Sequence, residues 1–243
     1  MARRWSRRAL LAGVGTVALG AMVGGIMTRS TGDAHPLTLY TFGDSILDCG
    51  HYNEYGITPG QLLVRNDDRL FPEFRGRDLG SQRPARLEER ARDGATVRGL
   101  PSQASGLRGE GDAVALLTIG GNDLLTGLVT DRGPGIDEFA RALDAFLAGL
   151  PIRPVLVGNV YDPSFGDDRN NFLGIDPAVA RTNHRRVNAV LADLGARYGA
   201  LVDLHAHFLT GDPSWYTRTI EPSLVGASEV RRAFLPHLLG GRA

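Results

Sequence analysis

Residues Leu37 to Leu47 read L-T-L-Y-T-F-G-D-S-I-L. The first half is an apolar and β-branched run of the kind that forms a buried strand. The run stops at Gly43-Asp44-Ser45. A glycine at a strand end lets the backbone turn sharply, and the next residues can open a helix. A serine in that turn has its hydroxyl at the carboxyl end of a strand and beside a helix N-terminus. In open α/β sheets, ligands bind along that edge. The free N–H groups and the positive dipole end found there suit a developing oxyanion.

Taken alone, G-D-S is also what an ordinary capped turn looks like. A second stretch, Ala113 to Leu124, reads A-V-A-L-L-T-I-G-G-N-D-L. It is another buried strand, and it ends in Gly120-Gly121-Asn122-Asp123. Two such strands, each finishing in small residues and polar side chains, suggest one site along one sheet edge. Together these blocks resemble the GDSL or SGNH hydrolase family, and the order of strands and motifs matches from about residue 36 to residue 240. The resemblance implies a three-layer α/β/α sandwich with a mostly parallel, flavodoxin-like sheet. It also implies Ser45 as nucleophile and Asn122 as an oxyanion donor.

Between these blocks, Asp48 to Arg98 mixes glycine, proline and alternating charges. That composition argues for long loops with short helices, one of them at Pro84 to Arg92, and such a segment is where a pocket wall is often built. Arg65, Arg69, Arg75 and Arg77 either bind an anionic group or, as we prefer, are solvated or pair with Asp67, Asp68, Glu73 and Asp78. Ala95 to Arg98 reads as a short second strand leading into R-G-L-P-S-Q. The resemblance places a glycine N–H of the oxyanion hole near here, at Ser102 by alignment, with Gly99 as the alternative.

Beyond Leu124, helix and strand alternate, which implies a parallel sheet covered on both faces. Ile136, Phe139, Ala140, Leu143, Phe146, Leu147 and Leu150 recur at helical spacing. Residues 154–160 read as a buried strand and 161–175 as a polar surface loop. Asp176 and Pro177 open a helix that runs to about Tyr198. Residues 200–204 read as the last strand, and 223–234 as a final helix.

A serine hydroxyl is a poor nucleophile without a base. The family resemblance implies a D-x-x-H-P block before the last helix. Here that tract is Arg218-Thr219-Ile220-Glu221-Pro222, so glutamate stands where histidine is implied. Either Glu221 is itself the base, or His207, just after the last strand, is the base with Glu221 orienting it. The second arrangement is preferred. His205, His207 and Asp203 make a weak metal set, and no metal or cofactor is expected. The expected function is an exported serine esterase or acylhydrolase acting on a small-molecule ester, an acylated glycan or a lipid. The alternative is a binding protein for a carbohydrate or ester-bearing ligand that has lost turnover.

The 243 residues, 42% apolar, are ample for one core. All 27 basic residues are arginine. Residues 1–34 hold five arginines and one aspartate, which leaves the remainder with 22 basic and 26 acidic residues. With no basic stripe, nucleic acid is an unexpected partner. Ser6-Arg7-Arg8-Ala9-Leu10-Leu11 resembles a twin-arginine export signal, and a 19-residue apolar run from Ala9 to Met27 follows it. Residues 1–34 are therefore expected to export the domain at 35–243, as a cleaved signal or as a membrane anchor. Cys49, the single cysteine, is expected to be packed rather than reactive.

Overall fold

The computed structural model describes residues 35–109 and 111–240. Residues 1–34, expected to export the domain, lie outside them. In chain order the elements are β1 (Leu37–Gly43), α1 (Pro59–Val64), α2 (Leu79–Gln82), β2 (Ala85–Glu89), α3 (Leu100–Gln103), β3 (Ala113–Thr118), α4 (Gly121–Leu125) and α5 (Gly135–Gly149). There follow β4 (Val155–Gly158), α6 (Pro177–Tyr198), β5 (Gly199–Val202), α7 (Leu204–Phe208), β6 (Tyr216–Thr217), β7 (Glu221–Pro222) and α8 (Leu224–Leu238).

The first five strands form one parallel sheet in the order β2-β1-β3-β4-β5. Side chains alternate across it because successive strand residues face opposite ways. Tyr40, Phe42, Ala115, Leu117, Val155 and Val157 pack on one face, against α5 and α6. Leu39, Val114, Leu116 and Leu156 pack on the other, against α1 and α8. The result is the three-layer α/β/α architecture expected from the sequence. The chain leaves β1 toward one neighbour and β3 toward the other, so a crevice opens between the carboxyl ends of these two strands.

Several local expectations are corrected. Residues 85–89 form the edge strand β2, not part of a helix. Arginine, leucine and glutamate are good helix formers, but an edge strand needs few buried residues and tolerates charge. Ala95 to Arg98 is no strand; it leads into a 3₁₀ turn at Val97–Gly99. The last strand ends at Val202, and Asp203 caps α7 by accepting from the Ala206 N–H at 2.9 Å. His205 and His207 therefore lie on a helix, where residues two apart do not share a face.

Other expectations are met. Asp176 caps α6 and Pro177 occupies its first turn. Arg75 pairs with Asp68 at 3.3 Å. Cys49 is fully buried. Among the described residues, no helix is long and apolar enough to cross a membrane.

Candidate active site

The turn after β1 needs a glycine. Gly43 has a φ of +112°, and a Cβ there would stand 1.7 Å from the Thr118 carbonyl oxygen. Gln103 of α3 grips this residue from the side. The Gly43 N–H donates to Gln103 Oε1 at 2.7 Å, and Gln103 Nε2 donates to the Gly43 carbonyl at 2.8 Å. The backbone that presents Ser45 is thereby fixed.

Asp44 is buried below the turn. Its carboxyl accepts from Thr118 Oγ1 at 2.8 Å and from the Ile46 N–H at 3.3 Å. Burial pushes its pKa up to about 7, against the pull of these two donors. Ser45 follows, 8% exposed, at the wall of a cavity of about 260 Å³. Gly121, Asn122 and Glu221 line the same cavity. Gly120, with a φ of +109°, turns the chain out of β3 into α4 and brings Asn122 there. Asn122 Nδ2 donates to the Ala95 carbonyl at 3.1 Å.

Glu221 is carried by a small ribbon in which β6 and β7 pair antiparallel. The tip is tight: Arg218 and Thr219 have φ of +46° and +75°, values uncommon for residues with a Cβ. Tyr161, buried after β4, donates its hydroxyl to the Ile220 carbonyl at 2.6 Å and ties the ribbon to the sheet. The Glu221 carboxyl faces the Ser45 hydroxyl. Burial raises its pKa above the ordinary glutamate value. The Ser45 hydroxyl opposes this, Asp93 adds to it, and His51 and Arg218 oppose it as positive charges.

Asp93, His51 and Tyr52 form a cluster on this side of the site. Asp93 accepts from the Tyr52 hydroxyl at 2.7 Å and lies 3.1 Å from His51 Nε2. The Arg218 guanidinium stands 5.2 Å from the Tyr52 ring centroid.

Two proposed site residues lie elsewhere. His207 does not line the cavity; its Nε2 is 3.0 Å from Glu229 Oε2 of α8, and its ring lies against Trp215. Ser102 is exposed on α3, and its hydroxyl donates to the Gly99 carbonyl at 2.7 Å. Neither Ser102 nor Gly99 borders the cavity. Gly94, between Asp93 and Ala95, does not border it either. Its φ is +73°, the Asp93 N–H donates to Asp48 Oδ2 at 2.9 Å, and the Ala95 carbonyl accepts from Asn122 Nδ2 at 3.1 Å. Sequence reading missed Gln103, Asp93, His51 and Tyr161.

The cavity wall also differs from expectation. It is built by the α4–α5 region, the start of α6 and the 161–176 loop rather than by residues 48–98. Among the described residues, no group of three or more His, Cys, Asp or Glu is arranged to hold a metal ion.

Residues 41–226 match the family model described as the GDSL-like lipase/acylhydrolase family. No curated protein matches the chain. Solved structures show the same fold at low identity. An α/β hydrolase from the metagenome of Lake Arreo, Spain, has 22% identity and a TM-score of 0.59, covering 86% of this chain and 98% of that one. The acetylxylan esterase of Geobacillus stearothermophilus has 19% identity and a TM-score of 0.60, covering 84% and 94%. The lipase/acylhydrolase of Enterococcus faecalis has 16% identity and a TM-score of 0.57, covering 84% and 95%.

Proposed function

The chain belongs to the GDSL-like lipase/acylhydrolase family, and from that premise we propose that it hydrolyses carboxylic esters with Ser45 as nucleophile and Glu221 as general base. The observation that carries this reading is the meeting of Ser45, Glu221 and Asn122 at one cavity above the β1/β3 crevice. Asn122 and backbone N–H groups at the sheet edge serve the oxyanion.

In the first half-reaction, Ser45 Oγ attacks the ester carbonyl carbon and its proton passes to Glu221. The carbon–oxygen bond to the alcohol then breaks, and the alcohol leaves with the proton from Glu221. In the second half-reaction, water attacks the acyl-serine and gives a proton to Glu221. The carboxylic acid departs as Ser45 regains a proton, so one ester and one water give one acid and one alcohol. An unperturbed glutamate, with a pKa of about 4.3, is a weak base at neutral pH. The burial and the Asp93 charge that raise the Glu221 pKa improve it for this task.

The preferred arrangement of His207 as base with Glu221 orienting it has no geometric support, since His207 is paired with Glu229. That same fact favours the competing reading, a binding protein without turnover. Fluorophosphonate labelling of the purified protein separates the two. A single adduct on Ser45, absent in Ser45→Ala together with ester hydrolysis, is the expected result. Absence of both labelling and hydrolysis in the native chain would overturn the enzymatic reading. The alcohol half of the ester is a small alcohol, a glycan hydroxyl or a lipid headgroup.

We further propose that residues 1–34 carry the domain out of the cytoplasm, as a cleaved signal or as a retained anchor. Changing Arg7 and Arg8 together to lysine is expected to stop translocation, measured by cell fractionation. Unchanged export would exclude the twin-arginine route.

A further inference from the structure

The proposed reaction makes no use of Asp44, the residue before Ser45. Asp44 is only 2% exposed, yet it lines the cavity together with Ser45, Gly121, Asn122 and Glu221. The two oxygens of its carboxyl are placed differently. Oδ1 takes both hydrogen bonds, from Thr118 Oγ1 and from the Ile46 N–H. Oδ2 has no hydrogen-bond partner among the described residues, and a Cβ added at Gly121 would stand 3.8 Å from it. Oδ2 is therefore turned toward the start of α4, where the next residue, Asn122, is the side-chain donor proposed for the oxyanion.

A buried carboxylate ordinarily has a cation beside it or donors on both oxygens. Asp44 has two donors on one oxygen, and among the described residues no arginine or histidine pairs with it. The charges that act on it are carboxylates, Glu221 on β7 and Asp123 on α4. The other titratable group within reach of its field is the buried Tyr161 phenol, itself uncharged. Burial and like charge both disfavour the ionised form. Thr118 and Ile46 occupy Oδ1, so the proton belongs on Oδ2. A carboxyl kept neutral by its surroundings is a strong donor to an oxygen that gains charge.

Resting on the reading of Ser45 as an esterase nucleophile, we propose that Asp44 is a further catalytic residue, a neutral carboxylic acid whose Oδ2–H donates to the oxyanion beside Asn122. When Ser45 Oγ bonds to the carbonyl carbon, the π pair of the carbonyl moves onto its oxygen, and Oδ2–H holds that oxygen. No proton leaves Asp44. When the bond to the alcohol breaks, the pair returns to the carbonyl and the hydrogen bond weakens. The gain is largest while the oxygen is charged, so it lowers the barrier more than it tightens substrate binding. An ionised Asp44 would repel the same oxygen.

The test uses the purified full-length protein with p-nitrophenyl acetate and follows kcat/KM against pH. Activity should rise as Glu221 ionises, then fall as the pH climbs through about 7, where Asp44 loses its proton. Asp44→Asn keeps Oδ1 for Thr118 and Ile46 and puts an Nδ2–H in place of Oδ2–H, so the alkaline fall should vanish. Asp44→Ala should lower kcat about 10²–10³-fold, and Asp44→Asn by less. An alkaline fall that survives in Asp44→Asn, or an equal loss in both variants, would overturn the inference.

A second measurement needs no turnover. Carbon-13 NMR of the protein labelled at its aspartate carboxyls, with Asp44→Asn to assign the signal, should show Asp44 titrating near 7. An Asp44 already ionised at about pH 5, above the ordinary aspartate value, would sink the inference and leave the esterase reading standing. A protonated Asp44 in a chain that hydrolyses no ester would sink the esterase reading, and the inference with it.

Discussion

The glutamate base proposed for Ser45 would act over a different pH range from a histidine. As a base, Glu221 works only when ionised, so activity should fall as the pH drops through its raised pKa. Asp93 is one of the charges that raise it, and Asp93→Asn should move this acid limb to lower pH. Glu221→Gln should lower kcat about 10²–10⁴-fold. His207→Ala should leave the limb where it is. A pH–rate profile of the four proteins checks all of this, and a limb lost in His207→Ala would return the base to histidine. Ser45 and Asn122 were legible because each sits in a contiguous strand-and-turn stretch whose spacing is local. The base was not. His207 follows a strand in sequence, but the chain turns at Asp203 into α7 and directs that ring to Glu229. Asp93 and His51 meet across 42 positions of sequence, and no local pattern announces that meeting.

At the scale of elements, short segments do more than their length suggests. The helix α3 has four residues, yet Gln103 on it holds both backbone groups of Gly43. In Gln103→Leu the Gly43 carbonyl keeps the Arg92 N–H at 2.9 Å, while the buried Gly43 N–H loses its acceptor. The expected loss is about 1–3 kcal/mol of stability, measured by urea unfolding, together with reduced turnover. Full activity at unchanged stability would mean that the turn holds itself. The long periodic helices α5 and α6 and the apolar strands β1, β3 and β4 were readable because burial dictates their residues one by one. The edge strand β2 was not, since Leu87 faces the core in a run otherwise rich in arginine and glutamate. A strand of that kind is defined by its pairing with β1, which lies 48 positions away in register. The 161–175 stretch is the surface loop its composition implies, but its part in the cavity was hidden. Its many aspartates read as solvent, and they mask Phe172 and Leu173, which face the cavity.

At the scale of the molecule, the domain rests on two apolar layers over one sheet, with no disulfide to hold it. Its single thiol is fully buried, and burial also pushes the Cys49 pKa well above the ordinary thiol range. Reaction of Cys49 with a thiol reagent therefore has to wait for the protein to open. Cys49 lies four positions after Ser45, under the same turn. Labelling by a disulfide reagent should be slow in the native protein and should accelerate with urea in step with the loss of ester hydrolysis. Labelling as fast as that of a free thiol would contradict the packing. The buried sulfur thus gives the molecule a built-in clock: each modified thiol records one excursion of the scaffold around Ser45 away from its working shape. Counting those excursions times the breathing of the site without a dye, a tag or a substrate.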